Sequence, residues 1–265
     1  MVSDAPATSP YVGPQPFERG QHAVFFGRVG ELQQLRTMVL GNPVVLLYAA
    51  SGAGKTSLLN AGLIPMLEKQ DDFQVLPTAR VTAAERPMST NPYVSGVLAS
   101  WMLDEDTPPP GADSTIAEFL AGRPHPDAPD GWSAPRLAVI DQLEEVFTLL
   151  PQHWEQRNEF FAQLGAAIAA DPLLRVILVI REDYTYEIEP QRVRLPGRLK
   201  ARFRLELLRE PAALEAIVRP LKGTGHEFAP AWPSSSSATS GRRRSRAAQP
   251  RSRRSPSSSS RCISR

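Results

Sequence analysis

A three-layer α/β/α fold with a mainly parallel sheet is predicted by three features of the sequence. Apolar runs of strand length recur near 44–49, 137–140 and 174–180, amphipathic helical segments alternate with them, and a glycine-rich turn joins the first run to a long helix. Runs rich in Val, Ile and Leu without polar alternation belong to strands covered on both faces. Strands alternating with helices pair in parallel, and such sheets bind ligands at the carboxyl ends of their strands.

The elements follow in order. Residues 1–23 are rich in Pro and Gly and read as an extended lead-in, with Tyr11 and Phe17 as anchors onto the domain. Over 31–40 the apolar positions Leu32, Leu35, Val39 and Leu40 keep helical spacing until Gly41-Asn42-Pro43 stops it. The strand 44–49 comes next; residues 51–54 turn the chain, and Leu58, Leu59, Leu63 and Met66 mark a helix over 55–67. Further strands are expected at 73–81, 136–140 and 174–180, and helices at 92–103 and 154–170. Residues 104–134 hold many Pro and Gly and read as an irregular surface insertion. A short strand at 203–207 and a helix at 211–218 close the ordered part, giving a main domain of 24–207.

Composition narrows the function classes. With 42% apolar and 22% charged residues the chain suits a soluble globular protein, and no apolar run approaches the roughly 20 residues of a membrane-spanning helix. The N-terminus lacks a basic stretch followed by an apolar one, so no secretory signal is read, and Cys262 is the only cysteine, which excludes an intrachain disulfide. Both features point to the cytoplasm. The four histidines have no metal-ligand spacing with their neighbours.

Charge is unevenly placed. The net +2 arises because residues 234–265 carry nine Arg, 13 Ser and no acid, whereas residues 1–233 carry 21 basic against 28 acidic side chains, a net of −7. The acidic part is a poor candidate for holding nucleic acid, and any such contact falls to the tail, where it would be salt-dependent and non-specific. Ordering each tail residue would cost roughly 1–2 kcal/mol of backbone entropy with almost no apolar burial to offset it, so 234–265 is expected to be disordered.

Chemistry concentrates in two segments. Ala49-Ala50-Ser51-Gly52-Ala53-Gly54-Lys55-Thr56 fits the phosphate-loop pattern GxxxxGK[ST] except that Ala49 replaces the first Gly. The exchange is tolerable because that position ends the strand, while Gly52 and Gly54 supply the unusual backbone angles. Loop N–H groups and the helix N-terminus would surround a β-phosphate, Lys55 would neutralise β and γ oxygens, the Thr56 hydroxyl would ligate Mg²⁺, and Ser57 would reach the α-phosphate. The second segment, 137–145, is an apolar strand ending in Asp141, placed to hold Mg²⁺ through a bound water, followed by Glu144 and Glu145. One of the two glutamates would polarise the attacking water; Glu145 is preferred, with Glu144 the alternative or a supporting group. Arg181, directly after the run 174–180, would sense a γ-phosphate or pair with Glu182 or Asp183.

These residues resemble the STAND signalling NTPases, in the bacterial subfamily called novel STAND NTPase 1. The likeness covers most of 10–230 and rests on Pro10-Tyr11-Val12-Gly13, Pro16-Phe17, Phe25-Phe26-Gly27-Arg28, the loop from Ser51 to Leu59, Ala61-Gly62-Leu63-Ile64-Pro65 and Asp141-Gln142-Leu143-Glu144-Glu145-Val146-Phe147. The resemblance implies a P-loop NTPase fold with an ASCE-type sheet, in which an extra strand separates the loop strand from the Asp141 strand. It also implies ATP and Mg²⁺ as cofactors, slow turnover, self-association and protein partners. Arg28 would lie near the adenine or ribose, Pro220 would border the adenine, and 208–233 would be a partial helical lid that stops near Phe228. Val29 departs from the family, which usually has an acid there, though Glu31 remains. The Ser/Arg tail reads more like GC-rich coding sequence in a shifted frame than an evolved RNA-binding arm.

The residues thus suggest an ATP-dependent switch. A nucleotide-gated scaffold without hydrolysis is the alternative, and a small-molecule kinase is weaker because such enzymes generally lack the Asp-x-x-Glu-Glu strand end. Nucleic-acid binding through the tail is a further alternative.

Overall fold

Five parallel strands form the sheet, and their order explains what reaches its upper edge. A computed structural model describes residues 11–82, 89–102, 113–222 and 224; the tail 234–265 and the end of the expected lid lie outside them. After a 3₁₀ turn at Arg19–Val24 come α1 (Val29–Gly41), β1 (Val44–Ala49), α2 (Lys55–Ser57), a π segment (Leu58–Leu63), α3 (Ile64–Gln70) and β2 (Gln74–Val75). They are followed by α4 (Pro92–Trp101), α5 (Ile116–Ala121), β3 (Arg136–Ile140), α6 (Glu145–Thr148), α7 (Trp154–Ala170), β4 (Leu174–Arg181), α8 (Thr185–Ile188), β5 (Arg202–Arg204) and α9 (Glu210–Val218). The strand order is β2-β3-β4-β1-β5, so β4 lies between the loop strand and the Asp141 strand, as the resemblance implied. All described elements belong to one compact unit, Met1–Thr224.

Alternation along the strands feeds two apolar layers. Val44 and Leu46 of β1, with Val176, Leu178 and Ile180 of β4, face α4, α5 and α7 through Tyr93, Trp101, Phe119, Phe160 and Leu164. Val45, Leu47 and Ala49, with Ile177 and Val179, face the other side, where α1 and the α2–α3 helix contribute Leu35, Leu58, Leu63 and Leu67. Each fully buried Leu, Ile or Val contributes roughly 1.5–3 kcal/mol relative to exposure, so both layers press the sheet into one register.

The structure corrects several boundaries. The strand expected at 73–81 is regular only at Gln74–Val75: the Leu76 N–H still reaches the Leu137 carbonyl at 2.9 Å, but the next bond comes from the Ala79 N–H to the Val139 carbonyl at 2.8 Å, one residue out of step, as at a bulge. The expected helix 55–67 runs on to Gln70 through the π segment, directly ahead of Pro65, whose ring removes one ladder bond. The strand expected at 203–207 is Arg202–Arg204.

The supposedly irregular insertion 104–134 contains α5, opened by a capping box in which Thr115 and Glu118 satisfy each other's backbone N–H groups. Residues 103–112 lie outside the described region. Arg136, fully buried, anchors the returning chain by donating to the carbonyls of Leu120, Arg123 and Pro124 and to Gln74.

Leu178 sits in the central strand with no exposed surface. Leu178→Ala should lower unfolding free energy by about 2–5 kcal/mol in urea denaturation, the cost of lost burial plus a residual cavity.

Candidate functional site

The loop after β1 is shaped by two glycines. Gly52 has φ +77° and Gly54 φ +91°, values that strain a residue with a Cβ, whereas Ala49 remains in the strand, paired with Arg181 across the ladder and fully buried. Alanine is acceptable there because the position needs no left-handed angle. Gly54 caps the helix that begins at Lys55, whose first N–H groups have no intrahelical partner.

Across β4 stands the end of β3. Asp141, only 3% exposed, accepts the Gln142 N–H at 2.8 Å with one carboxylate oxygen and the Thr56 hydroxyl at 3.0 Å with the other. Lys55 folds back so that its ammonium donates to the Ala49 carbonyl at 3.2 Å. Burial holds the Lys55 pKa below its ordinary value, with Glu144 and Asp141 acting in the opposite sense. Glu144 accepts the Arg181 backbone N–H at 3.2 Å, capping the end of β4.

Two adjoining cavities follow from this arrangement. One, of about 430 Å³, is walled by Ser51, Gly52 and Gly54 of the loop, by Lys55, Thr56 and Ser57, and by Asp141, Glu144 and Arg181 from the ends of β3 and β4. The other, of about 380 Å³, holds Ala53, Arg28, Pro220 and the aromatic rings of Tyr11, Phe17 and Phe25. Gly13, Gly52, Gly54 and Ser57 belong to both walls, so the two spaces meet over the loop.

Most of the residues expected at a site are therefore brought together, and two stand differently from expectation. Glu145 lines neither cavity: one of its carboxylate oxygens is buried without a partner, and burial, reinforced by Glu144 and Asp141 against the pull of Arg80, raises its pKa. Arg28, 6% exposed, gives its donors to Glu31 at 2.6 Å and the Ala53 carbonyl at 3.2 Å, so it braces the loop while bordering the second cavity. Arg181 pairs with Asp183 at 2.6 Å, while Glu182 pairs instead with Arg204 at 2.7 Å. The Arg181 pair is solvent-exposed and worth at most about 1 kcal/mol, so the guanidinium is readily exchanged onto an anion in the cavity it borders.

Sequence reasoning missed the lead-in as a wall. Gly13, Pro14, Gln15 and Pro16 border the larger cavity, and the Phe17 N–H donates to the Ser57 hydroxyl at 3.1 Å. The Tyr11 hydroxyl donates to the Ile217 carbonyl of α9 at 2.8 Å, and Phe17 meets Phe25 edge-on at 5.3 Å. No periodicity announces such a strap; only the quoted Pro-Tyr-Val-Gly and Pro-Phe pieces marked it. Gln142 was also passed over, and it lines the larger cavity.

A strand-loop-helix phosphate cradle facing a carboxylate across an intervening strand defines a P-loop NTPase. The chain belongs to the novel STAND NTPase 1 family, whose model matches residues 10–243, into the Ser/Arg-rich segment. No curated protein matches it.

Among solved structures it is similar to a Walker-type ATPase of Pyrococcus abyssi, at 16% identity and a TM-score of 0.56, over 84% of this chain and 65% of that one. It is also similar to the ORC2 protein of Aeropyrum pernix in ADPNP and ADP complexes, at 16% identity and a TM-score of 0.44, covering 73% of this chain and 50% of that one. Domain III of the Thermotoga maritima replication initiation protein DnaA matches at 15% identity and a TM-score of 0.42, covering 79% and 76%. The chain thus spans between half and two thirds of the length of the first two proteins, and identities this low speak to the fold alone.

Two outcomes follow from the geometry. Gly27 has φ +83°, and a Cβ there would lie 2.4 Å from the Ala212 carbonyl of α9. Gly27→Ala should displace α9 and weaken adenine-nucleotide binding severalfold in calorimetry while leaving inorganic phosphate affinity unchanged. For Glu145, a carboxyl whose folded pKa lies above its ordinary 4.5 binds more protons folded than unfolded, so stability falls as pH rises above that value. Glu145→Gln should melt higher than wild type at pH 7, and the difference should vanish at pH 4.

Proposed function

We propose that the chain is an ATP-dependent switch in which the adenine occupies the aromatic-walled cavity and the triphosphate crosses the loop into the larger one. The observation that carries this reading is the meeting of Thr56 and Asp141 at 3.0 Å beside Lys55, on the wall of a 430 Å³ space. A hydroxyl and a carboxylate, with no cluster of three or more His, Cys, Asp or Glu among the described residues, form a hard-oxygen donor set suited to a cation that shares its remaining ligands with phosphate and water. Thr56 and Asp141 would hold Mg²⁺, which when bound supplies positive charge to the β and γ oxygens.

The chain's own residues divide the remaining work. Lys55 releases the Ala49 carbonyl and turns its ammonium to the β–γ bridge; loop N–H groups hold the β-phosphate; Ser57, already taking the Phe17 N–H, gives its own proton to an α-phosphate oxygen. Glu144, on the cavity wall, is the group in reach of an attacking water, and Glu145 supports it from behind. Arg181 moves from Asp183 to the γ-phosphate, which links nucleotide state to the segment following β4.

The lid begins at α9. It touches the nucleotide cavity through Ala216 and Pro220 and the strap through Tyr11. Bound triphosphate would favour one position of this lid, and ADP another, thereby controlling self-association and contacts with protein partners in the cytoplasm. Among the described residues no helix is long and apolar enough to cross a membrane. The arginines of the tail contribute at most non-specific adhesion to nucleic acid. The second reading, a scaffold that binds without hydrolysis, is favoured by one feature: Glu144 and Arg181 are both engaged with protein groups.

Titration of ATP and ADP with Mg²⁺ against the full chain, together with steady-state hydrolysis, tests both readings. Lys55→Ala should weaken ATP binding about ten- to a hundredfold, the loss of one or two charge-assisted hydrogen bonds. Glu144→Gln should keep ATP affinity and lose turnover. Equal ATP affinity in wild type and Lys55→Ala would remove this site from consideration, and binding without any turnover in wild type would select the scaffold.

A further inference from the structure

Gln142 is the residue directly after Asp141, and its backbone has φ +56°, the left-handed region that is strained for a residue with an unbranched aliphatic stem. The bend itself has a clear structural use. It carries the chain off β3 and across the top of β4, so that the Leu143 N–H reaches the Val179 carbonyl at 2.9 Å and Glu144 reaches the Arg181 N–H at 3.2 Å. Glycine would make the same bend without strain. A side chain at this position therefore needs a use of its own, and backbone strain held at a cavity wall is where such uses are found.

That side chain is a carboxamide on the wall of the phosphate cavity, between the metal-facing Asp141 and the candidate base Glu144. Its backbone N–H is spent on Asp141, but among the described residues the carboxamide itself makes no hydrogen bond. It offers two N–H donors and one carbonyl acceptor on a single rigid group. Neighbouring carboxylates can accept hydrogen bonds but cannot donate them, so of these three side chains Gln142 alone can donate to a phosphate oxygen and accept from a water in the same plane.

We propose that Gln142 is a catalytic residue of the nucleotide site: its side-chain N–H donates to a γ-phosphate oxygen while its carbonyl oxygen orients the attacking water. The inference rests on the triphosphate reading above. In the step it serves, the water oxygen bonds to the γ-phosphorus as the bond from that phosphorus to the β–γ bridging oxygen breaks. The electron pair stays on ADP, and the water proton passes to Glu144. A carboxamide that both donates and accepts fixes the water in line with the leaving oxygen, which is the positioning that phosphoryl transfer demands of a protein.

The variant that separates this role from the bend is Gln142→Gly, which keeps the left-handed angle, relieves its strain and removes the carboxamide. In the full chain it should melt at or above the wild-type temperature and bind ATP and ADP within about twofold of wild type. Its turnover number should fall at least tenfold at unchanged KM. Trapping of ADP with aluminium fluoride, a mimic of the flat γ-phosphoryl group, should weaken at least tenfold relative to ADP alone. Wild-type turnover and trapping in Gln142→Gly would overturn the proposal, as would a parallel loss of ADP affinity, which marks a purely structural part. A wild-type chain that binds ATP but neither hydrolyses nor traps also overturns it while leaving the binding site intact. Failure of wild type to bind ATP at all would overturn the site reading itself, before any variant is compared.

Discussion

The Thr56 to Asp141 contact is the constraint on which the arrangement depends, because it spans a strand that belongs to neither residue. Adjacent strands lie about 4.8 Å apart, so β1 and β3, with β4 between them, stand roughly 10 Å apart at their carboxyl ends. No side chain of Thr length crosses such a gap from within its own strand. The loop closes it: six residues past Ala49 the chain has started a helix at Lys55, and Thr56, in its first turn, reaches the Asp141 carboxylate. Asp141 meets it from the other side only because Ile140 pairs with Leu178 while Ala49 pairs with Arg181, which staggers the strand ends so that Glu144 and Arg181 fill the space between. A one-residue slip of β4 would turn Leu178 and Ile180 out of their apolar layer, so core burial fixes the geometry of the polar site above it.

Electrostatics then decide what the site accepts. Asp141, Glu144 and Glu145 crowd one edge, and the −7 carried by residues 1–233 adds to their field. Bare triphosphate would meet repulsion from all three. Lys55, the helix N-terminus and Arg181 offset part of it, and a divalent cation held by Thr56 and Asp141 would offset the rest, so that nucleotide and metal would be coupled by charge before any chemistry begins. Lys55 makes the same point from the other side: burial disfavours its ammonium, and the carboxylates nearby oppose that effect.

How much of this was legible in the sequence varies with the range of the interaction. The loop, β1, β3, β4 and α7 were readable because apolar runs and helical periodicity are local signals that tertiary packing reinforces. Ala49 could be accepted in place of glycine from local reasoning alone, since a strand-end residue needs no left-handed angle. The helix α5 was missed although Thr115-Ile116-Ala117-Glu118 carries the capping-box spacing, because Pro and Gly around it outweighed a single short signal. Contacts of long separation were not readable. Nothing local tells that Tyr11 reaches Ile217, or that Glu144 rather than Glu145 faces the cavity; in the latter case the left-handed bend at Gln142 rotates the following residues, and no rule of spacing predicts which glutamate it turns inward.

Helix α9 shows how occupancy of the second cavity would be felt outside that cavity. No residue of α9 is fully buried, and among the described residues its ties to the domain include the Tyr11 hydroxyl on Ile217, the close fit of Gly27 under Ala212, and, just beyond the helix, Arg219 over the Phe26 ring at 4.9 Å. An element held by so little buried apolar surface opens at a small free-energy cost, whereas the sheet beneath it opens only with the whole domain. These ties run to the lead-in strap or to the Phe26–Gly27 turn beside the 380 Å³ cavity. A base bound in that cavity would add apolar area and stacking to the same few groups that already hold α9. The free energy of occupancy would then be comparable to that of lid placement, which is the condition under which a bound ligand shifts a conformational equilibrium instead of merely filling a hole.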